Sequence, residues 1–159
     1  MKRLIKVQYR RRRQNKTDYL ARRRMLESEF PRLVIRKTNR YIIAQIVESK
    51  EAQDKVICDA NSKELTEYGL ENSYSIKNLG AAYSTGYLCA IRALKKGIKK
   101  AILDIGLQMS TKGNKIYAAV KGANDAGLSV PCSDDMFPGE ERLKINDKVI
   151  EKIKGAKSS

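Results

Sequence analysis

Two apolar runs rich in β-branched residues lie close together in the first third of the chain, and they predict two strands. The runs occupy residues 33–37 and 41–48, and the polar residues 38–40 between them have the composition of a hairpin turn. Residues 55–59 supply a third run of this kind. Because the connections are too short for parallel crossovers, we expect an antiparallel meander.

The pattern changes in the second half of the chain, where apolar positions recur at steps of three and four residues. This spacing predicts an amphipathic helix over residues 78–96, with Gly97 at the usual place of a C-terminal cap. Gly86 lies on the apolar stripe, and we expect another element to pass close to the helix there. Residues 115–126 show the same spacing and predict a second helix that ends near Gly127.

Three weaker patterns complete the set of elements. A short basic helix is expected to begin at Thr17 and Asp18 and to be ended by Pro31, and residues 100–105 predict a short buried strand. Residues 140–154 have the spacing of a final amphipathic helix. Together the elements predict a mixed α/β (α+β) fold in which a small antiparallel sheet packs with helices. The expected apolar face of the last helix comprises Leu143, Ile145, Val149, Ile150 and Ile153.

The charge of the chain is strongly positive and is concentrated near its start. The 159 residues include 33 Lys or Arg and 18 Asp or Glu, which gives a net charge of +15. Residues 1–40 hold 15 of these basic residues and only 3 of the acidic ones. This imbalance suggests a polyanionic partner, with nucleic acid as the first candidate.

The same charge distribution divides the chain into three parts. Residues 1–16 contain too little apolar area to fold alone, so we expect a basic arm that becomes ordered on its partner. Residues 17–154 are expected to form one globular domain, and residues 155–159 to be a frayed end.

The absence of histidine removes several classes of enzyme. Ser-His-Asp catalysis, Cys-His catalysis and His-containing zinc sites all need a residue that this sequence lacks. Cys58, Cys89 and Cys132 form no CxxC pair, so we expect reduced thiols in a cytoplasmic protein. No apolar run long enough for a membrane span and no secretory signal is present in the sequence, so no membrane partner is expected. We also expect no cofactor and no small-molecule substrate.

The remaining enzymatic alternative is a metal-dependent nuclease. Asp59, Asp104 and Asp125 follow or lie in separate predicted elements and would have to converge as metal-binding carboxylates. No spacing in the sequence fixes that convergence. Asp59 and Asp125 are explained more simply as residues that cap or end their elements.

The arginines near the start favour folded RNA as the polyanion. Residues 10–24 contain seven Arg and one Lys. A guanidinium bridges phosphate oxygens and stacks on exposed bases, which suits RNA better than charge screening alone. The alternatives are a solvated charge run or a localisation patch, and for residues 36–41 an ordinary polar turn. Residues 110–115 lack the glycine frame of a P-loop and are a candidate second RNA contact.

A series of short motifs also occurs in a fixed order along residues 5–142. In this order the motifs resemble the archaeal type of the 5S rRNA-binding large-subunit ribosomal proteins, the L-eighteen family. The eukaryotic members of that family carry a long C-terminal extension, which we do not expect here. The motifs are YRRRR (9–13), KTDY (16–19), RR (22–23), PRLVIRK (31–37), Asn39, AQIV (44–47), AAY (81–83), TG (85–86), AILDIGL (101–107), KGA (121–123), DAGL (125–128), Pro131 and PGEER (138–142).

The resemblance implies a non-enzymatic protein of the large ribosomal subunit. It implies that 5S rRNA is bound in the central protuberance, that the basic arm reaches the large-subunit (23S-type) rRNA, and that neighbouring ribosomal proteins are further partners. One departure is Tyr41, where the family commonly has a histidine or a similar polar residue. Carried over residue by residue, the RNA-facing role falls on Arg10, Arg11, Arg12, Arg13, Lys16, Arg22, Arg23, Arg36, Lys37, Asn39, Arg40 and Gln45.

Overall fold

The computed structural model describes residues 7–50, 53–70 and 75–155, which form helices and one sheet. Two 3-10 helices, Ser62–Thr66 and Asp134–Met136, lie in the connections. The elements are α1 (Arg10–Arg13), α2 (Tyr19–Leu26), β1 (Arg32–Lys37), β2 (Ile42–Lys50), β3 (Gln53–Asn61), α3 (Leu79–Lys95), β4 (Ile102–Asp104), α4 (Lys115–Asp125), α5 (Glu140–Leu143) and α6 (Asp147–Gly155). The prediction of a mixed α/β fold is confirmed.

The sheet has the strand order β3-β2-β1-β4. The expected antiparallel meander is confirmed, since β2 pairs antiparallel with both β1 and β3. The strand β4 is added at the other edge of β1 and runs parallel to it, with Leu103 opposite Leu33. A parallel neighbour needs a long crossover, and the chain supplies it between β3 and β4 through α3.

One face of the sheet carries the core. Leu33, Ile35, Ile46 and other inward residues of the strands pack against α3, which is buried along most of its length. The helix α4 packs against α3 and also contacts β1. The opposite face, called the outer face here, is left for α2 and the N-terminal segment.

The expectation for Gly86 is confirmed by the packing of α3 on α4. A Cβ atom added at Gly86 would collide with the backbone carbonyl of Ala119, and one added at Gly122 would collide with the carbonyl of Tyr83. Each helix therefore has a glycine where the backbone of the other helix passes. These two glycines let the helices approach more closely than any side chain would allow.

Two predicted boundaries are wrong, and both errors come from tertiary contacts. The last helix is two helices, because Lys144 takes a left-handed conformation with φ +37° and its carbonyl lies against Gly80 at the start of α3. Ile145 follows this break and is 37% exposed, whereas the other four residues of the expected apolar face are buried. The basic helix α2 ends at Leu26, before Pro31, and Glu29 has φ +58° in the turn.

The arm and the C-terminal end are only partly described. Residues 1–6 and 156–159 lie outside the described residues, while Arg10–Arg13 form a single helical turn with no buried residue and Gly155 ends α6. The proposed division at residues 16 and 155 therefore stays a prediction.

Candidate nucleic-acid interface

The helix α2 lies over the outer face of the sheet and leaves a groove beneath it. The Asp18 side chain fixes the start of the helix, because it accepts hydrogen bonds from the backbone N–H groups of Leu20 and Ala21 at 2.9 and 3.2 Å. The groove has a volume of about 300 Å³. Its polar lining comprises Arg11, Lys16, Thr17, Asp18, Arg22, Arg32, Arg36, Gln45, Asp54 and Asp104.

A chain of alternating charges forms the floor of this groove, and we call it the arginine–aspartate network (Arg22, Asp54, Arg32, Asp104 and Arg36). Arg22 donates two hydrogen bonds to Asp54, at 2.9 and 2.8 Å. Arg32 donates to Asp54 at 2.9 Å and to Asp104 at 2.7 Å. Arg36 donates to the Asp104 carboxylate at 3.1 Å and to its backbone carbonyl at 3.0 Å. Three guanidinium groups thus share two carboxylates.

The network is buried at its centre and exposed at its ends. The side chains of Arg32 and Asp104 are 4% and 6% exposed, whereas that of Arg36 is 40% exposed. Removing one partner of the central Arg32–Asp104 pair would leave an unpaired buried charge, which is destabilising by about 3–5 kcal/mol. The outer arginines are each held by a carboxylate, Arg36 by Asp104 and Arg22 by Asp54. The hydrogen bonds from Arg22 hold the pKa of Asp54 well below its ordinary value, despite partial burial.

The arm residues that the sequence predicts to face RNA have few hydrogen-bond or ion-pair partners, unlike the residues of this network. Among the described residues no ion pair involves Arg10, Arg12, Arg13 or Lys16, and all four side chains are exposed. Arg11 donates a 2.8 Å hydrogen bond to the Thr17 hydroxyl. These cations are therefore free to meet an external anion.

A tilted contact between two tyrosine rings connects the arm to α2, and α2 carries an exposed ion pair of its own. The rings of Tyr9 and Tyr19 lie 5.1 Å apart, which brings the arm against the helix. Arg23 pairs with Glu27 four residues later, at 3.1 Å on an exposed surface. Such an exposed pair contributes little to stability, so Arg23 remains available to a stronger anionic partner.

The hairpin residues that the sequence predicts to face RNA lie at one end of the sheet. Lys37, Asn39 and Arg40 are exposed, and the Thr38 hydroxyl organises the turn by accepting from the backbone N–H groups of Arg40 and Tyr41. The ring of Tyr41 is covered by Lys63, whose Nζ lies 4.6 Å from the ring centre. Gln45 lies apart from this tip, half-buried in the groove.

Sequence reasoning missed the residues that organise the groove. Arg32 precedes Val34 and Arg36 at two-residue steps on β1, so strand alternation would have placed it on the same face as Arg36. No sequence signal identified Asp54, which faces these arginines from β3. Lys63 was missed because it reaches the hairpin from the 3-10 helix that follows β3.

The three carboxylates of the nuclease hypothesis have separate surroundings. Asp104 belongs to the arginine–aspartate network, Asp125 accepts a 2.7 Å hydrogen bond from the Tyr83 hydroxyl, and Asp59 is exposed on β3. Within residues 7–50, 53–70 and 75–155 no group of three or more Asp, Glu, Cys or His side chains could hold a metal ion. The geometry gives this hypothesis no support.

The cysteines are free, as expected from their spacing. Cys58 and Cys89 are buried, with the Cys58 thiol 3.9 Å from the Cys89 carbonyl oxygen, and Cys132 is half-buried in the loop before α5. None of the helices in the described ranges has the length and apolar character needed to cross a membrane.

An exposed arginine arm beside a groove floored by fixed arginines defines a nucleic-acid-binding protein. Residues 3–100 and 95–133 match the model of the family described as "Ribosomal large subunit proteins 60S L5, and 50S L18", and the chain belongs to this family. The resemblance seen in the sequence motifs is confirmed.

Curated relatives of the chain include archaeal proteins named "Large ribosomal subunit protein uL18". The protein of Korarchaeum cryptofilum is 54% identical over 139 residues, which cover 87% of this chain and 70% of the relative. That of Methanothermobacter thermautotrophicus is 48% identical over 139 residues, with 87% and 71% covered. That of Methanospirillum hungatei is 47% identical over 138 residues, with 87% and 78% covered. The chain is therefore a structural component of the large ribosomal subunit and not an enzyme, so the nuclease hypothesis is wrong.

Proposed function

We propose that the chain binds 5S rRNA and anchors it to the large-subunit rRNA in the central protuberance. The observation that carries the proposal is the contrast between two sets of cations on one surface. The arm cations are exposed and have no ion pair within the described part of the chain, whereas Arg22 and Arg36 are held by carboxylates at the groove. Family membership supports rRNA as the partner.

The two sets of cations suit two stages of binding. The arm supplies exposed charge that attracts phosphates from a distance, and this attraction is insensitive to sequence. Arg36 has three hydrogen bonds to backbone and carboxylate oxygens but stays 40% exposed, so it presents a cation in one fixed position. Fixed cations recognise the shape of a folded RNA, because only one fold places its phosphates at matching positions.

The residues proposed for RNA contact follow the same division. The arm and α2 contribute Arg10, Arg11, Arg12, Arg13, Lys16, Arg22 and Arg23, and the sheet contributes Arg36, Lys37, Asn39, Arg40 and Gln45. The arm is also the segment proposed to reach the 23S-type rRNA, with neighbouring ribosomal proteins as additional partners.

A gel-shift titration of transcribed 5S rRNA against tRNA tests the proposal. The wild-type chain should prefer 5S rRNA, and equal affinity for both RNAs would contradict the proposal. Replacing all four residues of Arg10–Arg13 with Gln should reduce the slope of log K against log salt by about 3, taking about 0.7 for each phosphate contact. Selectivity should survive that change.

A variant in the sheet tests where the selectivity for 5S rRNA over tRNA arises. Arg40→Gln combined with Gln45→Ala removes sheet contacts and leaves the arginine–aspartate network complete. We expect this variant to lose affinity for 5S rRNA more than for tRNA. Equal loss for the two RNAs would make the sheet only another basic patch.

A further inference from the structure

Lysines from three separate segments meet beyond the end of β1, away from the groove. Lys37 is the last residue of β1, Lys77 precedes α3 and Lys115 is the first residue of α4. We call these three residues the lysine cluster. The sequence predicted Lys37 and the loop that holds Lys115 as separate RNA contacts, but it did not group the three lysines, because 40 and 38 positions separate them along the chain.

Several contacts show that the cluster is compact. The Lys77 ammonium donates a 3.3 Å hydrogen bond to the Asn39 carbonyl in the hairpin turn that follows Lys37. Lys37 and Lys115 line the same cleft, which has a volume of about 430 Å³. The pKa of Lys115 is lowered, first by burial and then by the positive charges of Lys37 and Lys77.

The cluster is not neutralised in the way that the arginine–aspartate network is. No ion pair among the described residues includes Lys37, Lys77 or Lys115, and no acidic side chain lines the cleft. In the adjoining loop, Lys112 forms an exposed ion pair with Asp135. Like charges held together without a carboxylate raise the free energy of the unbound protein, and an entering anion lowers it again.

The chemistry of the lysines favours a phosphate backbone over a specific base. An ammonium group acts as a point charge for phosphate and lacks the planar fork that reads a base edge. The start of α4 is not an open anion site, because the Asn114 side chain already accepts hydrogen bonds from the backbone N–H groups of Ile116 and Tyr117. The lysines themselves are therefore the groups available to an anion at this place.

We propose that the lysine cluster binds a phosphate–ribose backbone segment of the rRNA, as a second contact distinct from the arm and the groove. The proposal rests on the RNA-binding function proposed above. On β1 the groove residue Arg36 and the cluster residue Lys37 are consecutive, and successive side chains of a strand point to opposite faces of the sheet. Contacts on the two faces fix the direction in which the RNA passes the end of the sheet, which one patch alone cannot do.

A pair of charge-matched variants tests the proposal. The cluster variant is Lys37→Gln, Lys77→Gln and Lys115→Gln, and the control variant is Lys99→Gln, Lys148→Gln and Lys154→Gln. The control lysines are exposed and, in the described part of the chain, form no ion pair. Both variants lose three positive charges, so they are matched in net charge and differ in where the charge is lost.

The measurement is the slope of log K against log salt for 5S rRNA. We expect the cluster variant to lower the slope by about 2, at about 0.7 for each contact, and the control variant to lower it by less than one contact. Equal slopes for the two variants would overturn the proposal. If wild type instead binds 5S rRNA no better than tRNA, the proposed function fails, and the slopes measured with large-subunit rRNA still decide whether the cluster is a site.

A second measurement on the wild-type chain avoids any effect of the substitutions on folding. Acetylation of lysines, followed by mass spectrometry, compares the free protein with the RNA complex. We expect RNA to protect Lys115 and Lys37 and to leave Lys148 reactive. Equal reactivity of Lys115 in the two states would overturn the proposal.

Discussion

Replacing Asp54 with Asn should weaken RNA binding, although it removes a negative charge from a basic surface. Simple electrostatics predicts the opposite, because a more positive protein attracts a polyanion more strongly. In the structure, Asp54 links α2 to the sheet by accepting two hydrogen bonds from Arg22. Without these hydrogen bonds, α2, which carries Arg22 and Arg23, is held less firmly against the sheet, and the groove loses its fixed geometry.

The magnitude follows from how little else holds α2. The helix buries none of its own residues, and Arg22 gives Asp54 two hydrogen bonds. A hydrogen bond to a charged group contributes about 1.5–3 kcal/mol, but Asp54 is 37% exposed and solvent screens the pair. We expect α2 docking to lose about 1–2 kcal/mol, which lowers the ratio of docked to undocked helix about 5- to 30-fold. The affinity for RNA should fall by at most this factor.

The assay is a gel-shift titration with 5S rRNA at fixed salt, combined with hydrogen exchange of the α2 amides. Glu27→Gln is the matched control, because it removes one negative charge beside α2 from an exposed pair that does not contact the sheet. This control should bind RNA as tightly as wild type or more tightly, with unchanged exchange. An Asp54→Asn protein that behaves like the control in both measurements would refute the reasoning.

Three further outcomes are expected. Gly86→Leu should lower the free energy of unfolding by about 1–3 kcal/mol or more, since the leucine side chain would collide with the Ala119 backbone. A melting temperature as high as that of wild type would contradict the packing described for α3 and α4. Trypsin should cut quickly within Arg10–Arg13 in the free protein and slowly in assembled subunits. If Arg10–Arg13 resist trypsin equally in both states, the arm is not ordered by RNA. The stabilisation that Asp54 contributes should be constant above about pH 5, because the pKa of Asp54 in the folded protein is depressed. This stabilisation should be lost only as the pH falls below the ordinary aspartate pKa near 4. A stability difference between wild type and Asp54→Asn that shrinks between pH 6 and 9 would contradict this assignment.

Local patterns predicted the elements whose causes are local. The hairpin of β1 and β2 follows from polar residues between two apolar runs, and α3 follows from a long apolar stripe that ends at Gly97. The break at Lys144 could not be predicted in this way, because its cause is the approach of the chain to Gly80, 64 positions earlier. The apolar pattern continues across the break, since Leu143 and Val149 both face the core.

The candidate site shows the same limit. Composition identified the arm because a run of arginines needs no partner to be visible in a sequence. The groove depends on Asp54 and Asp104, which come from different strands and acquire their role only when β3 and β4 join the sheet. The lysine cluster is equally hidden, because its three members meet only after α3 and α4 have packed.

The parallel pairing of β4 with β1 has a consequence for the order of events during synthesis. The arm, α2 and the antiparallel strands leave the peptide tunnel first, and their contacts are close in sequence, so they can form early. Asp104 arrives 72 residues after Arg32 and 68 after Arg36. Until then both arginines lack that carboxylate, and an RNA met by the nascent chain would compete with β4 for them. Closing the edge of the sheet therefore withdraws Arg32 from RNA and, in the same step, fixes Arg36 in the position from which it is proposed to contact RNA.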